Sequence, residues 1–175
     1  MLSKKSIPNT LSFLRIAMTF FIVAAISHSL YAPAFLILIA ALITDWLDGL
    51  AARAFDAKSR FGEIIDPIAD KALYGGTLGA IYWYAGVSPL LWVILFTLAP
   101  EGILTLLRCM NIRGAATVVG KIKMVRQSAS MIILMLGLVF LNQSLLIFGI
   151  AVSATAVIFS WMSLLSQIIA FEKTA

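Results

Sequence analysis

Six apolar stretches run along this chain, each about as long as a bilayer crossing and each closed by a short break. They fall at Thr10–Ser27, Pro33–Ala54, Phe61–Ala85, Pro89–Leu107, Met124–Leu141 and Leu145–Phe171. A helix needs about 20 apolar residues to cross the hydrocarbon core. The runs are continuous rather than alternating, which predicts helices and not barrel strands. Tyr31-Ala32-Pro33, Gly86-Val87-Ser88-Pro89 and Asn142-Gln143-Ser144 supply turn chemistry between runs. The pattern predicts an all-α fold, a polytopic membrane bundle of six transmembrane helices forming a single membrane domain over residues 1–175.

Composition sharpens this picture. Of 175 residues, 62% are hydrophobic and only 12% charged, about half the charged share of a soluble domain. With the amino terminus in the cytoplasm, Lys4, Lys5, Arg53, Lys58, Arg60, Arg108, Arg113, Lys121, Lys123, Arg126 and Lys173 all fall on the cytoplasmic side, and the opposite loops carry no Lys or Arg. That asymmetry predicts both termini inside. The net charge of +5 then describes one membrane face, and no nucleic-acid partner is expected. Lys4 and Lys5 ahead of an apolar stretch resemble the start of a cleaved signal peptide, but Arg15 interrupts the stretch, so it is kept as the first span. The single cysteine, Cys109, can form no internal disulfide, and the lone histidine, His28, is expected at an exposed interface.

Against this apolar background, four carboxylates stand out: Asp45, Asp48, Asp66 and Asp70. Acids inside membrane helices are costly and usually pair, bind cations or line a wet cavity. At about 100° per residue, Asp45, Asp48, Gly49, Ala52 and Arg53 share one arc of roughly 140°. Gly62, Asp66 and Asp70 step by four along the next span. The short connection between the spans is expected to make them antiparallel neighbours whose acidic stripes meet near the cytoplasmic end.

Four anionic groups in a low dielectric need cations. Hard oxygen donors with no His or Cys nearby favour Mg²⁺, Mn²⁺ or Ca²⁺, and two divalent ions form a known clamp for phosphoryl displacement. Gly49, Ala52 and Gly62 leave a notch beside the acids, while Arg53 ends the stripe where its fork could hold a phosphate oxygen.

The run Asp45-x2-Asp48-Gly49-x2-Ala52-Arg53-x8-Gly62-x3-Asp66-x3-Asp70 resembles the full signature of the CDP-alcohol phosphatidyltransferases at every fixed position. Pro8-Asn9-x-Leu11-Ser12-x2-Arg15, Phe61-Gly62-x3-Asp66-Pro67-x-Ala69-Asp70-Lys71 and Gly120-Lys121-x-Lys123-x3-Gln127 are similar to the phosphatidylglycerophosphate synthase and cardiolipin synthase branch. The resemblance implies a homodimer of six-helix bundles in a bacterial inner membrane or an equivalent organelle membrane, with its active site facing the cytoplasm. It implies CDP-diacylglycerol as donor and two divalent cations, Mg²⁺ or Mn²⁺. Asp45, Asp48, Asp66 and Asp70 carry over as metal ligands and Asp70 also as general base. Gly49, Ala52 and Gly62 carry over as the floor under the nucleotide, and Arg53 as a phosphate contact. The implied reaction is attack of an alcohol on the lipid-side phosphorus with release of CMP.

For the acceptor, Arg108, Arg113, Lys121, Lys123 and Arg126 form a basic rim that suits an anionic alcohol. Together with the branch matches this points to glycerol 3-phosphate, with Arg108, Arg113, Lys121 and Lys123 as acceptor contacts. The chain departs from the branch at Pro100, which stands before Glu101 where an Arg is common. That departure keeps phosphatidylglycerol, the acceptor of cardiolipin synthases, or another alcohol of a CDP-alcohol phosphotransferase, as the alternative, makes Lys71 a candidate substitute cation, and predicts a kink in the fourth span. A divalent-cation transporter would also explain intramembrane acids, but not their confinement near one membrane face. A metal-dependent lipid phosphatase would have no use for the basic rim.

Overall fold

A computed structural model of the chain describes residues 6–55, 62–109 and 118–172, with side chains described over 12–47, 65–107 and 119–169. Its helices are α1 (Ser6–Ser27), α2 (Tyr31–Phe55), α3 (Gly62–Tyr84), α4 (Leu90–Cys109), α5 (Val118–Val139) and α6 (Gln143–Glu172). Each predicted span lies on one of them. α5 begins six residues before the predicted Met124, because Gly120-Lys121-Ile122-Lys123 continues the helix beyond the apolar run. Apolar stretches long enough to cross a membrane lie at Leu90–Leu107, Val119–Val139 and Gln143–Ile169, with shorter ones at Ser12–Ser27 and Tyr31–Leu47 among the described residues. Phe20, Phe21, Leu36, Trp83 and Val125 face outward, as lipid-facing side chains do. The protein is an integral membrane protein.

The helices gather into two compact units, α1 to α3 and α4 to α6. In the first, α1 packs against both α2 and α3, burying Ile22, Ile26, Leu38, Leu78 and Ile81. Among the described residues the backbones of α2 and α3 do not approach each other as closely as each approaches α1. The expected meeting of the two acidic stripes falls largely on Asp48, Gly49, Ala52, Arg53 and Gly62, whose side chains lie outside the described residues. α1 ends in a Schellman turn in which Leu30 N–H donates to Ala25 O at 2.8 Å and Ser29 N–H to Ile26 O at 2.9 Å, with Ser29 at φ 58. His28 is exposed in this turn.

In the second unit, α6 packs against α4 and α5. The α5–α6 turn repeats the Schellman pattern around Leu141 (φ 49), and the Asn142 side chain caps α6 by accepting from Leu145 N–H at 3.1 Å. Gly149, Ser153, Ala156, Ser160 and Ser163 recur at spacings of four and three along α6 and are all buried, a small-residue stripe that lets helices approach closely. The approach is tightest where a Cβ on Gly137 would sit 2.8 Å from Leu146 Cδ2, and one on Gly149 2.8 Å from Leu134 Cγ.

α4 runs unbroken through the buried Pro100. A proline has no N–H for the carbonyl four residues back, which here belongs to Phe96. Trp161 Nε1 from α6 donates to that carbonyl at 3.0 Å. The structure thus repairs across helices the bond the proline removes.

Candidate active site

Ser12, Arg15 and Thr19 recur at spacings of three and four on α1, and all three are buried. Thr19 donates its hydroxyl to the Arg15 carbonyl at 2.9 Å. Gly76 of α3 admits Thr19 to the helix crossing, because a Cβ there would lie 2.6 Å from Thr19 Cγ2. This close crossing seats the polar face of α1 against α3.

The acids collect on that face. Arg15 Nη1 donates to Asp70 Oδ1 at 2.6 Å, and Nη2 stands 2.7 Å from Asp45 Oδ1 as an ion-pair contact. Ser12 donates its hydroxyl to Asp66 Oδ1. One helix face therefore engages carboxylates from two other helices. The Arg15 side chain is 0% exposed, whereas those of Asp45 and Asp70 are 39% and 35% exposed. The guanidinium lies at the back of the site and the carboxylates remain open to a ligand. A carboxylate offers about four lone-pair sites, so a single Arg contact leaves each with capacity to spare.

Asp48, Gly49, Ala52, Arg53 and Gly62 fall on α2 and at the start of α3, but their side chains lie outside the described residues. Among the described residues no three acids, His or Cys form a metal-ligand group, and the expected set of four includes Asp48. The donors that are described fit a hard divalent cation, being carboxylate oxygens held from one side and open on the other.

The basic rim is described only in part. Arg108 and Arg113 lie outside the described side chains, and Lys121 is exposed on α5. Lys123 Nζ stands 3.3 Å from Oε1 of the buried Glu101, which also accepts from the Gln127 side-chain amide at 2.5 Å and from the Ser160 hydroxyl at 3.4 Å. Arg126 donates to Thr155 Oγ1 at 2.7 Å, with its guanidinium 4.6 Å from the centre of the Phe159 ring. Lys71 Nζ donates to the Pro67 carbonyl at 3.1 Å.

Sequence reasoning left Ser12 and Arg15 out of the site. The available signal was a cation in an apolar span, on one helix face with a hydroxyl, inside a motif already matched on other grounds.

Residues 5–167 match the family model described as CDP-alcohol phosphatidyltransferase. A CDP-diacylglycerol–glycerol-3-phosphate 3-phosphatidyltransferase of Rickettsia bellii is 30% identical over 141 residues, covering 76% of each chain. Proteins of the same description from Cereibacter sphaeroides and Pectobacterium atrosepticum are 39% and 37% identical over 94 and 82 residues. These alignments cover 51% and 45% of this chain, and only 42% and 45% of the relatives' own lengths.

Proposed function

The chain belongs to the CDP-alcohol phosphatidyltransferase family, and we propose that it transfers a phosphatidyl group from CDP-diacylglycerol to glycerol 3-phosphate. The observation that carries this reading is the convergence of Asp45 and Asp70, on separate helices, onto the Arg15 guanidinium, with Asp66 held on the same face by Ser12. The similar proteins named for this reaction support the choice of acceptor.

In this reading Asp70 takes the proton of the acceptor hydroxyl as its oxygen attacks the phosphorus that bears the diacylglycerol. The bond from that phosphorus to the bridging oxygen breaks, CMP departs with the electron pair, and phosphatidylglycerophosphate forms. Asp45, Asp48, Asp66 and Asp70 would hold the divalent cations that the family generally uses; when bound, these neutralise charge on the pyrophosphate. Gly49, Ala52 and Gly62 floor the nucleotide site and Arg53 contacts phosphate. Arg108, Arg113, Lys121 and Lys123 meet the acceptor.

The lysine and arginine asymmetry supports cytoplasmic termini and a cytoplasmic active site. The protein works as a homodimer of single-domain subunits. The second acceptor, phosphatidylglycerol, draws support from Pro100 in the usual Arg position and from the pairing of Lys123 with Glu101, which engages one cation the first reading needs.

The test is CMP release by detergent-purified protein given CDP-diacylglycerol and Mn²⁺ or Mg²⁺, with glycerol 3-phosphate, phosphatidylglycerol or no acceptor. Release is expected to require glycerol 3-phosphate and to vanish with EDTA and in Asp70→Asn. Release with phosphatidylglycerol alone would replace the acceptor. Release without any alcohol would indicate a hydrolase, and none under any condition would favour a degenerate enzyme of the family or a cation transporter.

A further inference from the structure

Asp45 and Asp70 stand against the same guanidinium from two different helices, each of which packs on α1. α1 thus gives both carboxylates one common anchor. We infer that Arg15 is a positioning residue, a buried clamp that holds Asp45 and Asp70 at one separation so that divalent cations meet a preformed pair of carboxylates. Its importance for catalysis rests on the transferase reading; the clamp itself rests on geometry.

Three features separate a clamp from the other roles an arginine could play here. The first is its position behind the acids, fully buried while they are a third exposed or more. A phosphate-binding arginine would present its nitrogens on the open side. The second is its shape. A guanidinium is a planar fork whose two terminal nitrogens can serve two carboxylates at once, which the point charge of a lysine does poorly. The third is the fixing of the clamp. Thr19 bonds back to the Arg15 carbonyl, Gly76 lets that turn of α1 close on α3, and Ser12 one turn earlier holds Asp66. A single face of α1 thereby sets the positions of three acids from two other helices.

The competing role is a counter-charge that neutralises the acids and that incoming cations must overcome. The two roles differ in sign. Removing a positive charge beside a cation site tightens cation binding by Coulomb's law alone, whereas removing a positioning group loosens it, typically by about 10- to 100-fold where a partner of a ligand is lost.

The experiment measures Mn²⁺ binding to the detergent-purified full chain from the electron paramagnetic resonance signal of free Mn²⁺. Wild type, Arg15→Met, Arg15→Lys and Asp45→Asn are compared, with CMP release kinetics on the same samples. In Arg15→Met, Mn²⁺ affinity is expected to fall about tenfold or more and kcat to fall with it, while KM for CDP-diacylglycerol stays within about twofold. Arg15→Lys is expected to recover part of the Mn²⁺ affinity, and it carries the same comparison if the methionine variant does not fold. Tighter Mn²⁺ binding in either variant would overturn the clamp in favour of a counter-charge. Unchanged Mn²⁺ binding with a raised KM would overturn it in favour of a substrate contact, and a wild type that binds no Mn²⁺ would also overturn it. Mn²⁺ binding that depends on Arg15 in a protein that releases no CMP with any acceptor would overturn the transferase reading and leave the clamp standing.

Discussion

Glu101 on α4 accepts a hydrogen bond from the Gln127 side chain on α5, a side-chain contact between two helices whose backbones stay further apart. Lys123 and Ser160 close on the same carboxylate oxygen, so one buried acid ties together all three helices of its unit. Lys123→Met leaves Glu101 without its cation, and breaking a largely buried pair costs about 3 kcal/mol. The expected outcome is a clear drop in thermal unfolding temperature in detergent. Adding Glu101→Gln should restore most of it, and the double-mutant cycle gives the coupling directly.

Trp161 and Pro100 form a second such pair. If Trp161 Nε1 replaces the donor that Pro100 lacks, Trp161→Phe leaves the Phe96 carbonyl unsatisfied at a cost of about 1 to 3 kcal/mol. In a Pro100→Ala background the backbone N–H returns, and the same Trp161→Phe change should cost much less. Equal losses in both backgrounds would mean that Trp161 acts through packing alone.

Ser12→Ala removes the hydroxyl that holds Asp66. Hydrogen bonds to charged groups are worth about 1.5 to 3 kcal/mol, so CMP release should drop about tenfold or more at unchanged helical content. Ser12→Thr, which keeps the hydroxyl, should retain most of the rate. Loss of helical signal in Ser12→Ala would instead assign the residue to folding.

Gly137→Ala and Gly149→Ala are expected to destabilise the α5–α6 pair by about 1 to 3 kcal/mol, the usual range for overpacking. The obstruction includes backbone: Leu146 N lies 3.0 Å from a Cβ on Gly137, and Leu134 N 3.1 Å from one on Gly149. Gly79→Ala is the control. Nothing lies within 4 Å of its would-be Cβ, and its higher helix propensity should leave stability unchanged or raise it by up to about 1 kcal/mol. Thermal melts of the three variants give the comparison.

The six helices were readable because apolar runs of bilayer length leave few alternatives, and the breaks between them carry turn residues. Helix ends were less readable. Lys121 and Lys123 extend α5 beyond its apolar run, and hydropathy marks the lipid-embedded part of a helix rather than its hydrogen-bonded part. Pro100 shows a similar limit: a proline predicts a local disturbance, but its remedy is a tryptophan 61 residues further along the chain.

Within the candidate site, Asp45, Asp66 and Asp70 were legible from spacing and motif. Their arrangement was not. Spacing along a helix fixes which residues share a face, but not which neighbour that face meets. The acidic stripes of α2 and α3 were expected to converge, and Asp45 and Asp70 do, but on a guanidinium from α1 that spacing alone did not place there. An isolated arginine in an apolar span reads as an interruption until its tertiary partners are known, which is why Arg15 escaped the site.

The seating of Arg15 also bears on how the protein enters the bilayer. A lone arginine at the centre of an inserting helix costs about 2.5 to 3.5 kcal/mol on translocon scales, so α1 is a poor stop on its own. The tight turn at Ser29 makes α1 and α2 a hairpin, and Asp45 is within ion-pair distance of Arg15. Inserted together, the two helices carry that charge into the membrane as a neutral couple. Asp70 arrives later in synthesis and adds a second carboxylate to a couple that is already balanced, so the order of the chain ends on an excess of acid beside Arg15.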